Sequence, residues 1–274
     1  MRFEHIPAVL EAPHGLLEGP SVLGDAIVFS DVLAGGVFRL NADGSVDELL
    51  PRRRGIGGIV ATGDGGLIVT GRDVTLVQAS GATRTLHEDT TAAGFNDIGT
   101  CRDGSVVVGV LRYRPMAGDQ PQLGELLQLA PHQVLAGDFI WPNGIVECAD
   151  GSLLVSDFAR GHVKRVATSG ASELFYTVAA GAPDGLALDA EGCLWIATGH
   201  GGSLLRVGPD GTLVEQFDIP ARFVSSLCFA GDDVFVTTAD NLETPDTGGT
   251  LLRAAAPVAG ATVPLASVRL PDHD

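Results

Sequence analysis

The sequence predicts an all-β chain folded as a six-bladed β-propeller, and three observations predict it. First, one eight-residue pattern occurs six times: EGPSVLGD from Glu18, GGIVATGD from Gly57, NDIGTCRD from Asn96, NGIVECAD from Asn143, DGLALDAE from Asp184 and SSLCFAGD from Ser225. The starts are separated by 39, 39, 47, 41 and 41 residues, and self-similarity at one period near 40 marks a repeat architecture. Second, each window is followed by short apolar runs rich in Val, Leu and Ile and bounded by Gly, Asp and Asn, which is the signature of strands. Third, no segment carries a long 3.6-residue stripe with caps. Four strands per unit and six units make a propeller. Two tandem sandwiches are the alternative, and they leave the six-fold phase unexplained.

The units read alike. Unit one gives apolar runs at 26–30 and 36–40, an Asn41-Ala-Asp-Gly44 turn, and a run at 46–50. Unit four gives 153–156, 162–166 and 173–176, and unit five gives 194–197, 203–207 and 213–217. The run from Arg2 to Leu10 precedes the first unit and is expected to close the ring as the outer strand of the last blade, which otherwise extends from Ser225 to about Leu270. The long third interval is taken up by Leu111 to Gly124, a Pro/Gly/polar insertion that reads as a loop. A single domain over residues 1–274 is expected.

Composition bounds the function. The 37 glycines lack a collagen period and point to many tight turns. A net charge of −17 repels phosphate backbones, so nucleic acid is set aside and cations are favoured. The N-terminal stretch has no apolar core followed by a small-residue cleavage site, and no apolar run approaches membrane length, so a cytoplasmic protein without membrane contact is expected. Cys101, Cys148, Cys193 and Cys228 form no CxxC pair and read as free thiols in or beside strands. There is no GxSxG elbow, HExxH or P-loop.

The first strand of each propeller blade lines the central channel. The six window starts, Glu18, Gly57, Asn96, Asn143, Asp184 and Ser225, therefore share one layer around the axis. Any one polar residue there is explained by solvation. Four oxygen-bearing side chains in one layer, two of them carboxylates that repel each other, suit a hard divalent cation between them. Without His or Cys the layer is not built for zinc by preference. Antiparallel strands place on this same side the loops that enter each window and those joining strands two and three. Arg52 to Arg54, Phe95, Arg112, Tyr113, Arg114, Trp141, Phe158, His200 and Phe223 are accordingly expected at the mouth, and Gly57 leaves space for a ligand.

At these residues the chain resembles the SMP-30/gluconolactonase/luciferin-regenerating-enzyme family. The resemblance rests on Leu17-Glu-Gly-Pro20, Phe95-Asn-Asp97, Trp141-Pro-Asn-Gly-Ile145, Pro183-Asp-Gly-Leu-Ala-Leu-Asp189, and Ser225-Ser-Leu-Cys-Phe229 followed by Val236-Thr-Thr-Ala239, in order over nearly the whole chain. It implies a six-bladed propeller with an axial divalent metal, in a family where many members hydrolyse lactones. It makes Glu18, Asn143 and Asp184 the metal ligands, with Asn96 a fourth contact to metal or substrate. Ca²⁺ is expected ahead of Mg²⁺, Mn²⁺ or Zn²⁺. The mechanism implied is metal-assisted hydrolysis with Asp184 as base and Asp97 as a second candidate; a turn-capping role is the competing reading of Asp97. Asn96, Arg112, Tyr113, Trp141 and His200 are the candidate substrate contacts. For Arg112, Arg114 and His200 an ordinary surface role is the competing reading.

The departures from the family pattern bear on the substrate. Gly94 stands where aldonolactone-hydrolysing members commonly carry an Arg, Thr100-Cys101 stands where an acid often follows the Asn-Asp pair, and Val22 and Leu23 stand where a Trp is usual. A lactone less polar than a sugar lactone is therefore expected. Two other functions fit the same parts: a lyase, isomerase or dehydratase using the cation to stabilise an enolate, or a binding propeller whose metal is structural. The expected partner is a small molecule, with the protein a monomer or small homo-oligomer.

Overall fold

The computed structural model describes residues 1–10, 14–239 and 248–267. Six antiparallel four-stranded sheets form a ring. Their innermost strands are Leu17–Leu23, Ile59–Ala61, Gly94–Thr100, Pro142–Glu147, Leu186–Leu188 and Phe223–Ala230, which define blades one to six. Each inner strand lies against the next and the sixth lies against the first, so the chain is an all-β six-bladed propeller. The N-terminus closes the ring: Glu4–His5 is the outermost strand of blade six and pairs antiparallel with Leu251–Ala255. This closing strand is shorter than the expected Arg2–Leu10 run, because Pro7, which has no N–H to give a ladder, opens a single helical turn at Pro7–Leu10.

The core is divided into wedges between neighbouring sheets. Trp195, Leu204 and Phe217 of blade five meet Val224, Leu227 and Val236 of blade six. Val60 and Ile68 of blade two meet Phe95, Ile98 and Val108 of blade three. Because second strands such as Ala26–Asp31 and Leu194–Ala197 are covered on both faces, they read as continuous rather than alternating apolar runs. All four cysteines are free, and Cys193 is buried. Among the described residues no helix is long and apolar enough to cross a membrane.

Away from the polar ring, blade five is tied by a buried charge network. Asp189 accepts from the Glu191 and Cys193 amides, from Trp195 Nε1 at 2.9 Å and from Arg206 Nε at 2.7 Å, while Arg206 also reaches Glu191 at 2.6 Å. Removing one partner of a buried ion pair strands the other charge. Here Asp189 keeps three N–H donors, so Arg206→Ala is expected to cost about 2 kcal/mol, below the usual range for such pairs. Chemical denaturation should show this.

Beyond Ala255 the chain crosses the channel. Ala190 N donates to Ala259 O at 2.8 Å and Ala261 N donates to Leu188 O at 2.9 Å, on blade five. Five residues later, Ala266 N donates to Ala61 O and Ser267 N to Gly104 O, both at 2.8 Å, on blades two and three. Blades two and five stand opposite each other, and five residues span at most about 17 Å, so the segment takes the direct path over the axis. This corrects the expectation that blade six extends to about Leu270: its ladder ends at Ala255, Pro257 and Pro264 follow, and residues beyond 267 lie outside those described. The channel is thus covered at its far end, opposite the end carrying the window starts.

Candidate functional site

At the mouth end every inner strand departs from regular pairing. The ladder to the second strand shifts register between Glu18 and Ser21, Phe95 and Ile98, Pro142 and Ile145, and Val224 and Ser226. In blades two and five the inner strand begins only at Ile59 and Leu186, just past Gly57-Gly58 and Asp184-Gly185. The irregularity thus falls on the first residues of each window. A bulge turns a side chain out of the ladder and leaves backbone groups unpaired there.

Those groups pair sideways, from blade to blade. Ser30 Oγ donates to Ile56 O at 2.7 Å, and the Thr70 hydroxyl donates to Asn96 O. Asn96 Nδ2 donates to Pro142 O at 3.0 Å, and Ser156 Oγ to Asp184 O at 2.8 Å. Gly185 N donates to Ser225 O at 2.8 Å, and Ser225 Oγ to Leu17 O at 2.6 Å. All six inter-blade steps are bridged, and this closed belt fixes the relative positions of the ring side chains. Ser225 therefore has a structural role, as its hydroxyl is committed to the belt.

The second window residue packs against the next blade and is small for that reason. A Cβ at Gly144 would stand 2.5 Å from Leu186 N and 2.6 Å from Asp184 O, and one at Gly185 would stand 2.0 Å from Ser226 Oγ. Asp97 is the exception to this small-residue rule. It fits because it faces Gly58, where an added Cβ would come within 2.3 Å of Asp97 Oδ1. Similarly, a Cβ at Gly57 would meet Asn96 O and Oδ1 at 2.9 Å. The space expected at Gly57 for a ligand is therefore taken by Asn96.

Glu18, Asn143 and Asp184 are buried at the axis, and Asn96 and Asp97 are half-buried beside them. Asn143 Nδ2 donates to Asp184 Oδ1, and no described residue donates to the Asn143 amide oxygen. Burial first, then Asp184 and Asp97, push the Glu18 carboxyl well above its usual range. Burial and then Asp97 do the same to Asp184, against the Asn143 hydrogen bond. Burial raises Asp97 to about 7, partly offset by the Ile98 amide at 2.7 Å. Among the described residues no cationic side chain acts on any of the three. Among the described residues no three His, Cys, Asp or Glu side chains are arranged to hold a metal ion; the axial set mixes acids with amides.

The mouth differs from its expected form. Trp141 and Phe158 meet at a tilt at 4.8 Å, Phe158 lies 6.5 Å from Phe223, and His200 meets Phe223 edge-on at 4.8 Å, so the four form one run of contacts in which Phe223 is itself buried. Phe95 is not among them. It is 2% exposed in the wedge between blades two and three, because the neighbour of an axis-facing residue points into the sheet interface. Tyr113 is buried, and burial, then Asp157, raises its phenol. Arg112 pairs with Asp89 and Glu125, and Arg114 with Asp119.

Residues 16–240 match the SMP-30/Gluconolactonase/LRE-like region. The chain belongs to this family. It is 32% identical over 252 residues to a 6-deoxy-6-sulfogluconolactonase of Pseudomonas putida, covering 84% of each chain. Two solved structures share its fold. A luciferin-regenerating enzyme superposes with a TM-score of 0.84 at 18% identity, over 97% of this chain and 99% of that one. A calcium-binding protein, regucalcin, from Agrobacterium tumefaciens superposes with a TM-score of 0.82 at 21% identity, over 94% and 96%.

Within this family member, two carboxylates not singled out in the sequence hold the mouth loops. Asp31 accepts from the Gly15, Leu33 and Ala34 amides, and Asp157 accepts from the Ile140 and Trp141 amides while pairing with Arg160 at 2.7 Å. They brace the entries to Glu18 and Asn143. The signal was present: Ser30-Asp31 and Ser156-Asp157 end the second strands of blades one and four, with Thr70-Gly71 in the same place in blade two. The Ser and Thr serve the belt, and the Asp caps the loop.

Proposed function

We propose that this chain hydrolyses a lactone at the axial acid–amide ring with a divalent cation. The observation that carries the reading is the convergence of Glu18, Asp184 and Asp97 with no cationic side chain among the described residues to offset them. The donor set fits a hard cation: Glu18, Asn143 and Asp184 would hold it, with the Asn96 oxygen as a fourth contact. Oxygen donors without imidazole or thiolate favour Ca²⁺, then Mg²⁺ and Mn²⁺, over Zn²⁺. Full-length likeness to a sulfogluconolactonase supports the reaction, and likeness to a calcium-binding regucalcin supports the ion. The bound cation would polarise the lactone carbonyl and stabilise the charge that develops on its oxygen.

The chain's own part is proton handling and positioning. Asp97, at the axis beside Asp184, is a candidate to accept a proton from the attacking water. Asp184, held by Asn143, is the second candidate base. Water adds to the carbonyl carbon, the ring C–O bond breaks, and the leaving oxygen recovers the proton as the hydroxyl of a hydroxy acid. The aromatic run formed by Trp141, Phe158 and Phe223, with Gly94 in place of an arginine, supports a ring less hydroxylated than an aldonolactone. The test is a panel of aliphatic and sugar lactones assayed with Ca²⁺ and with EDTA. EDTA-sensitive turnover favouring apolar rings is expected. Bound cation without any hydrolysis would overturn the reaction, and a preference for gluconolactone would overturn the less polar ring.

The same acids set a pH dependence. Unfolded, they titrate near 4; folded, Asp97 titrates at about 7 and Glu18 and Asp184 are raised. Between about pH 4 and 7 the folded chain holds more protons than the unfolded one, so metal-free stability falls as pH rises. Aspartates lowered by ion pairs, such as Asp73 and Asp138, work in the opposite sense, but below that window. The Tm in EDTA should therefore be lower at about pH 8 than at about pH 5.5, and Ca²⁺ should raise it more at the higher pH. A Tm in EDTA that climbs over this range contradicts the account.

A further inference from the structure

We propose that Arg52, Arg54 and Arg72 form a subsite at the mouth, over blade two, for an anionic group carried at the end of the substrate remote from the lactone ring. The proposal deepens the lactonase reading and rests on it. Three observations carry it.

The first is charge left unpaired. The chain has 17 basic residues against 34 acidic ones. Around the mouth Arg53, Arg112, Arg114 and Arg160 are each bound to a carboxylate. Arg52, Arg54 and Arg72 are exposed, and none of them makes an ion pair among the described residues. Asp73, next to Arg72, is taken by Arg53 and Thr75. Arg222 on blade six is also unpaired but stands alone on its rim, whereas blade two gathers three.

The second is a loop built to hold them. Arg53 is driven into blade two: Nη2 donates to Asp73 Oδ1 at 2.8 Å and to Asp73 O at 2.9 Å, and Nη1 to Thr75 Oγ1 at 3.1 Å. Its carbonyl accepts from Gly36 N at 3.0 Å, and Gly55 N donates to Val32 O at 2.9 Å. Pinned on both sides, the loop holds Arg52 at φ 62°, the one left-handed non-glycine residue among those described. Such a conformation costs about 1 kcal/mol and persists only where its surroundings impose it.

The third is a path from these arginines to the ring. Two residues ahead of the ring positions stand Leu16, Trp141 and Phe223 on blades one, four and six, but Gly55 and Gly94 on blades two and three. Gly55, Gly71 and Gly94 adjoin: a Cβ at Gly71 would be 3.3 Å from Gly55 O, and one at Gly94 would be 3.1 Å from Gly71 O. A Cβ at Gly55 would meet nothing within 4 Å. Bare backbone of blades two and three thus adjoins between the arginine loop and the residues that precede Gly57 and Asn96. Arg54 is three residues from Gly57, at most about 10 Å of chain, which matches a short substituent on a lactone held at the ring. Guanidinium groups pair bidentately with sulfonate, phosphate or carboxylate alike. In a protein of net charge −17, an anion needs such a local cation cluster to approach.

The test compares lactones with the same ring whose side chain ends in a hydroxyl, a carboxylate, a sulfonate or a phosphate, on wild type, on the Arg52→Gln/Arg54→Gln double variant and on Arg72→Gln. Wild type should prefer an anionic member, and that preference in kcat/KM should shrink about tenfold or more in the double variant, chiefly through KM. It should also shrink in wild type on raising NaCl to about 0.5 M. A preference unchanged by the substitutions, or absent in wild type, overturns the subsite while lactone turnover itself still upholds the lactonase reading. If no lactone is turned over, that reading fails separately and calorimetric titration with inorganic phosphate decides: binding weakened by the double variant supports the subsite, and no binding or equal binding overturns it.

Discussion

Replacing Asp184 by Asn is expected to lower kcat/KM for the best lactone about a thousandfold and, in EDTA at neutral pH, to raise the melting temperature by about 2–4 °C. The two effects have one cause. Asp184 sits 2% exposed beside Glu18 and Asp97, and its charge helps push Glu18 well above the usual carboxylate range. The folded protein holds these acids together at the expense of its own stability, a pattern found where a site is built for a ligand it must bind. An asparagine keeps the shape and one oxygen but removes the charge. It relieves the repulsion and forfeits both the cation's strongest partner and a candidate proton acceptor. Kinetics and calorimetry on the same preparation check it. A variant that is inactive but also melts lower would mean that Asp184 is a structural acid, and an active one would remove it from the site.

The loss should be metal-linked as well as catalytic. With Ca²⁺ added, wild type is expected to gain stability in proportion to RT ln(1 + [L]/Kd), and Asp184→Asn is expected to gain little. The order of stability of the two proteins then reverses between EDTA and Ca²⁺. A purely structural metal predicts the same reversal with no lactone turnover in wild type, so the two measurements together separate those cases.

The ring of Glu18, Asn96, Asn143 and Asp184 could be read from the sequence because a propeller converts chain period into position: equal phase in six repeats means equal height on six inner strands. Side-chain direction near the ring was harder. Phe95 looked like a mouth residue, yet as the neighbour of Asn96 it faces the wedge, whereas Trp141 and Phe223, two residues ahead of Asn143 and Ser225, share the ring's side. Arg112 and Arg114 were legible as cations but not as spent ones, since Asp89 and Asp119 lie 23 and 5 residues away and sequence gives no sign that they pair. The segment over the far end was illegible for a similar reason: its partners at Ala61, Gly104 and Leu188 are remote in sequence, and it carries no pattern of its own. The bulges were half-visible, as the small residue following every ring position but Asn96.

That small residue leads to the other large effect. Gly144→Ala is expected to lower stability by about 3 kcal/mol and kcat/KM about a hundredfold, although the added methyl touches no substrate. Its Cβ would stand 2.5 Å from Leu186 N, 2.6 Å from Asp184 O and 2.7 Å from Leu186 Cγ. Two of those atoms are backbone, so no rotamer change relieves the clash, and blade five must move away from blade four. The same movement stretches the Gly144 N to Asp184 O hydrogen bond of 3.2 Å, the Ser156 Oγ to Asp184 O bond of 2.8 Å and the Asn143–Asp184 side-chain pair. Displacing one ring acid by a few tenths of an ångström is enough to spoil a cation site whose ligands come from different blades. The control is Gly63→Ala, another window glycine, whose added Cβ meets nothing within 4 Å and which should leave stability and activity as they are. If Gly144→Ala melts lower but binds Ca²⁺ and turns over lactone as wild type does, the belt is a scaffold only, and the position of Asp184 is set by something other than its contact with blade four.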